Sequence, residues 1–100
     1  MKYFGNRRAG TPRILLTGEF DLTRHAELDA IFDGVKDEPS VDVDCSGVTF
    51  MTASALGRFV RLKKSLPANA TVQLLGLRPE IFKLFGLTKL NSLFEMDSRA

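Results

Sequence analysis

Residues 41–64, VDVDCSGVTFMTASALGRFVRLKK, decide how the chain folds. The stretch opens on strict alternation: Val41, Val43 and Cys45 point one way, Asp42 and Asp44 the other, which is the period of a strand. Ser46-Gly47-Val48-Thr49 then offers turn residues, and Phe50-Met51 are expected to bury against the sheet. From Ala53 the apolar spacing becomes helical, with Leu56, Phe59, Val60 and Leu66 on one side. Arg58, Arg61, Lys63 and Lys64 take the polar side, the two lysines near the negative helix end. Pro67 stops the helix. Thr52 is the expected N-cap, and Ser54 falls in the first turn, where unpaired backbone N–H groups and the positive end of the macrodipole collect chemistry.

The two aspartates also speak to the layers of the fold. A strand covered by helices on both faces would be apolar throughout, so the helices are expected mostly on one side of the sheet. Upstream, Lys2 to Arg7 forms an edge strand, joined through Ala9-Gly10-Thr11-Pro12 to a strand over 13–17 that carries Ile14, Leu15 and Leu16. Gly18-Glu19-Phe20-Asp21 leads to a helix capped by Asp21 or Thr23, with Leu28, Ile31, Phe32 and Val35 on its buried face and Asp29 and Asp33 in water. Glu38-Pro39-Ser40 ends that helix. Downstream, a strand over 71–75 precedes a third helix that starts at Pro79 and carries Ile81, Phe82, Leu84 and Phe85, with Gly86 as its C-terminal cap. A last strand spans 92–96, and residues 97–100 fray. The order strand, strand, helix, strand, helix, strand, helix, strand implies right-handed crossovers. The expectation is an α/β fold: one small domain over residues 1–100 with a mostly parallel sheet of four to five strands.

Composition narrows the function. Fourteen lysines and arginines against 12 aspartates and glutamates leave a net charge of +2, which argues against a nucleic-acid binder. Cys45 is the only cysteine, so an internal disulfide and a thiolate metal cluster are excluded. A reducing cytoplasm is the natural compartment, and the thiol reads as an inert core group. The first residues lack the apolar run of a signal peptide and no stretch is long enough to span a bilayer, so direct membrane insertion is not expected. His25, the only histidine, reads as an ordinary helix-start residue and leaves a zinc site without ligands. Spacing leaves a Ser-His-Asp arrangement open, but Ser54 lacks the Gly-x-Ser-x-Gly elbow. Neither a dinucleotide fingerprint nor a P-loop is present, so no catalytic residue, cofactor or metal is assigned. Ser54 itself has two readings. Its hydroxyl either caps the helix, worth about 1 kcal/mol, or accepts a phosphate that the helix end stabilises and Arg58, one turn on, reaches.

Residues 43–57, VDCSGVTFMTASALG, resemble the signature of STAS domains, the bacterial anti-sigma factor antagonists and their relatives. Residues 16–21, LTGEFD, look like that family's L-x-G-E-L-D, and residues 75–77 and 84–90 look like its closing helix and strand. The resemblance covers nearly the whole chain. It implies a regulator that binds an anti-sigma factor which is also a serine kinase, and that is released when the second serine of D-S-S-G is phosphorylated. That serine is Ser54 here, while Thr52 stands at the aspartate, Ala53 at the first serine and Ala55 at the glycine. The implied contact surface takes Gly18, Glu19, Phe20 and Asp21 together with Thr52, Ala53, Ser54, Ala55, Gly57, Arg58 and Arg61. The altered motif motivates an alternative: a constitutive STAS subunit of an ABC phospholipid-transport complex, or a signalling scaffold, without a phosphorylation cycle. A monomer and a weak dimer both fit the sequence.

Overall fold

A computed structural model describes residues 2–8 and 11–98, with side chains over 11–97. Ala9, Gly10 and residues 99–100 of the expected turn and tail lie outside the described residues. The elements run β1 (Lys2–Arg8), β2 (Thr11–Phe20), α1 (His25–Asp33), β3 (Ser40–Met51), α2 (Ala53–Ser65), β4 (Thr71–Leu77), α3 (Pro79–Leu87) and β5 (Glu95–Ser98). The five strands lie in the sheet in chain order, β1 antiparallel to β2 and the other three pairings parallel. Each parallel step moves one place in the same direction. Right-handed crossovers then put all three helices on one face, as the aspartate alternation in β3 implied.

That face is the core. Ile14, Leu16 and Phe20 from β2, Val41, Val43, Cys45 and Val48 from β3, and Leu74 and Leu77 from β4 are fully buried beneath Leu28, Val35, Phe59 and Phe85. Phe59 is the hub: its ring meets Phe32, Phe85 and Phe94 edge-on at centroid distances of 5.1, 5.7 and 6.5 Å. Leu62 joins the buried side of α2, whereas Val60 is half-buried. Burial in this apolar setting, reinforced by Asp44 and Asp97, pushes the Cys45 thiol far up, so no thiolate forms.

Several boundaries differ from the sequence reading, each for a local reason. Residues 46–49 are not a turn. They continue β3, in which the buried positions Val43, Cys45, Val48 and Met51 are spaced by two, three and three residues. The partner strand keeps its strict alternation: Ile14, Gly18 and Phe20 pair with Val43, Val48 and Met51, so β3 gains one residue between Leu15 and Thr17 and another between Gly18 and Glu19. These two bulges move Phe50 outward, half exposed, instead of into the core. Asp42 is 2% exposed rather than solvated, because it sits mid-sheet with Arg13 and Gln73 as its register neighbours. Asp44 is reached by Arg13 at 3.1 Å. Helix α1 ends at Asp33, before Pro39, through the tight bonds from Gly34 N–H to the Ile31 carbonyl and from Val35 N–H to the Phe32 carbonyl. Gly86 lies inside α3, and Lys89, not glycine, takes the left-handed conformation after it. The last strand begins at Glu95 because a 3-10 turn occupies Leu90–Ser92.

The hub position of Phe59 sets an expectation. Phe59→Ala removes a ring that three helices and the β5 approach share, and should cost about 3–5 kcal/mol. Urea denaturation followed by circular dichroism measures it.

Candidate functional site

Strands β2 and β3 end level, with Phe20 paired to Met51, and one backbone bond closes them, Thr52 N–H to the Phe20 carbonyl at 3.0 Å. Residue 52 therefore leaves the sheet at a fixed point and starts α2 there. Its backbone is extended and its Oγ1 accepts from the Ala55 N–H at 3.3 Å, which makes threonine the N-cap. Aspartate and threonine are both good caps, so the replacement of the family's aspartate keeps the helix start intact while removing its charge. Ser54 stands two residues into the helix and is exposed. Its Oγ lies 2.9 Å from Thr52 Oγ1 and 3.4 Å from His25 Nε2 across on α1.

The β2 side of the site is held by an arginine that sequence reasoning missed. Arg24 Nη1 donates to the carbonyls of Thr17 and Glu19 at 3.0 and 2.9 Å, and its guanidinium carbon lies 4.0 Å from the centroid of the Phe20 ring. The same side chain forks onto Glu27 at 2.9 and 3.1 Å, and that bond holds the Glu27 carboxyl below the usual carboxylate range. Gly18 makes this possible. Its φ is +91°, and a Cβ there would lie 2.9 Å from Arg24 Nη1. The signal was present in the sequence as an Arg six residues after a Gly, but nothing in that spacing says the two meet. Asp21 closes the segment by capping the 3-10 turn Leu22–Arg24, accepting from the Thr23 N–H at 2.9 Å and from its hydroxyl.

The implied contact residues separate into three groups. Gly18, Glu19, Asp21, Thr52, Ala53 and Ser54 come together at this edge of the sheet, and Gly57 lies exposed one turn up α2. Phe20 and Ala55 are fully buried, so their side chains support the surface from beneath and cannot touch a partner. Arg58 and Arg61 turn toward α1: Arg58 Nη1 is 2.9 Å from Asp29 Oδ2, and Arg61 Nη1 is 3.2 Å from Asp29 Oδ1 and 3.9 Å from Asp33. The Arg61–Asp29 contact is ionic only, since Asp29 Oδ1 has no hydrogen bond of proper geometry. Arg58 is thus engaged with a carboxylate instead of reaching for Ser54. Two residues gain a place at the edge: Leu22, 73% exposed, and Phe50, 50% exposed, are apolar groups left uncovered beside it. Among the described residues no cluster of ligands suits a metal ion, and no helix is long and apolar enough to cross a membrane.

The sequence model of the family described as "Mlab, STAS domain" matches residues 5–95. The chain belongs to the STAS domain family. Among solved structures, an anti-sigma factor antagonist from Mycobacterium paratuberculosis superposes with a TM-score of 0.83 at 18% identity, over 95% of this chain and 83% of that one. The anti-sigma factor antagonist SpoIIAA in its unphosphorylated form gives a TM-score of 0.71 at 20% identity, over 96% of this chain and 86% of that one. At such identities the likeness is one of fold. No curated protein sequence matches significantly.

Two outcomes follow from the caps. Thr52→Ala loses the bond to the Ala55 N–H and should destabilise the fold by about 1 kcal/mol in denaturant melts. The hydroxyl and N–H of Thr23 hold the Asp21 carboxyl below its usual range. A carboxylate depressed in the folded state contributes fully above its unfolded pKa and loses that contribution as pH falls through the folded value. The stability gap between wild type and Asp21→Asn should therefore be constant above about pH 5 and shrink as pH falls below the ordinary aspartate pKa of about 4. Urea melts across that range read the gap.

Proposed function

We propose that this chain is a cytoplasmic anti-sigma factor antagonist. It binds an anti-sigma factor that is also a serine kinase, freeing a sigma factor for transcription, and it is released when that kinase phosphorylates Ser54. The observation that carries this reading is the exposed Ser54 hydroxyl in the first turn of α2. It stands beside the Thr52–Phe20 junction, with the uncharged exposed residues Ala53 and Gly57 on the same helix. Such a surface suits packed protein contact. In the transfer, the Oγ–phosphorus bond forms as the bond from the γ-phosphorus of ATP to the ADP oxygen breaks, and the hydroxyl proton passes to a base of the kinase. The product adds nearly two negative charges to a contact that already carries the carboxylates of Glu19 and Asp21, and both the repulsion and the desolvation are costly. A penalty of a few kcal/mol weakens binding more than about a hundredfold. The chain supplies no catalytic group of its own in this scheme.

Gly57 supports the same surface. A Cβ there would meet nothing within 4 Å, so the fold has no steric need for glycine in the helix. Glycine in a helix interior costs about 1 kcal/mol relative to alanine. A partner backbone seated against this turn accounts for it. Gly57→Ala should raise stability by about that amount while weakening the partner complex.

A second reading is favoured by Thr52. The cap is retained without the carboxylate of the family pattern, which leaves a sound contact surface that needs no phosphorylation cycle, as in a constitutive subunit of a phospholipid-transport ABC complex or of a scaffold. Affinity purification from the source cell separates the two. The first reading expects an anti-sigma kinase captured by wild type and Ser54→Ala, lost with Ser54→Asp, and phosphoserine at position 54. Capture of a transporter ATPase, indifferent to Ser54→Asp and without phosphoserine, replaces it with the second.

A further inference from the structure

His25 is the chain's only histidine, and nothing in the contact surface described above uses it. It opens α1, yet its Nε2 faces α2, 3.4 Å from Ser54 Oγ. That separation is at the long limit for a hydrogen bond between neutral groups. A phosphoryl group on Ser54 sets three acceptor oxygens around Oγ, and one of them, to the side of the Oγ–Nε2 line, comes within hydrogen-bond reach of the imidazole. We propose that His25 is the receiving group for phosphoserine at position 54. Its imidazolium holds the phosphate against α1, so that phosphorylation ties α1 to α2 as well as placing charge on the contact surface. The inference rests on the reading of Ser54 as the modified residue and adds to it a positioning residue from a different element.

The other charged groups near His25 are engaged elsewhere. On its own segment, Asp21 accepts from Thr23, Arg24 is forked onto Glu27 and bonded to two carbonyls of β2, and Asp29 is shared by Arg58 and Arg61 of α2. From β2, Glu19 is exposed and gives its carbonyl to Arg24. Among the described residues, the side chains in contact with the Ser54 hydroxyl are Thr52 and His25. Thr52 can offer a phosphate one O–H. His25 can offer an N–H and a positive charge, which is the stronger interaction for a dianion. A cation at that range favours the doubly ionised phosphate and lowers its second ionisation, ordinarily near pH 6.

The test uses the full chain with phosphoserine installed at position 54 by genetic encoding, so that no kinase is required. Phosphorus NMR then follows the second ionisation of the phosphate in the His25 protein and in His25→Gln, His25→Asn and Arg58→Gln. The His25 protein should titrate at least about half a pH unit below both histidine variants, and Arg58→Gln should titrate with it. In the His25 protein the imidazole nitrogen resonances should also move on phosphorylation and return on phosphatase treatment, a readout that needs no variant to fold. Equal midpoints with and without His25, an equal rise in Arg58→Gln, or unmoved imidazole resonances would each overturn the assignment. Failure to capture a kinase strikes the function proposed above and leaves these titrations unchanged, so the two failures are told apart.

Discussion

A single backbone hydrogen bond, from the Thr52 N–H to the Phe20 carbonyl, decides where the chain leaves the sheet to start α2. It joins the last residue of β2 to the residue that follows β3 and satisfies the amide of the residue leaving the sheet. With its backbone fixed there, Thr52 has one remaining task, which is to turn its hydroxyl back to the Ala55 N–H. The orientation of α2 follows, and Ser54 is carried outward by it. On the other strand the same junction is braced by Arg24, whose two bonds to β2 carbonyls and contact with the Phe20 ring keep the crossing loop in one shape.

Charge placement divides α2 lengthwise. Arg58 and Arg61 lean onto Asp29 and Asp33 of α1, while the exposed turn that carries Ala53, Ser54 and Gly57 has no ionised side chain of its own. The ion pairs are partly exposed, and pairs of that kind add little stability. Their effect is directional: two cations that would otherwise extend from the helix are drawn to one flank. The front of the helix is left electrically quiet, and a surface in that state is sensitive to any charge added to it.

Much of this was legible in the sequence. The alternation of Val41, Asp42, Val43, Asp44 and Cys45 fixed a strand with one apolar face, and the single-sided arrangement of helices followed from it. Pro79 marked the start of α3, and Thr52 the start of α2. The errors cluster where tertiary context overrides local chemistry. Ser46 and Gly47 look like turn residues, yet the parallel neighbour β2 holds them in the sheet as a bulge. Asp42 looks solvated by alternation alone, but burial depends on the strands either side, which a single strand does not reveal. The Arg24 brace and the approach of His25 to Ser54 join residues far apart in the chain or out of phase with any periodic pattern, so no spacing rule announces them.

The paired bulges of β3 have an arithmetic of their own. Each adds one residue against β2, and one residue reverses the side to which every later side chain points. Two together restore the original parity, which is why Phe20 and Met51 both face inward at the end of the strands. Deleting a single residue between Ser46 and Phe50 would therefore do more than shorten a strand. It would invert the segment that feeds α2, sending Met51 to water and turning the serine-bearing edge toward the interior. Losing two residues would keep the parity and merely lower that edge, so length variation here is tolerable only in even steps.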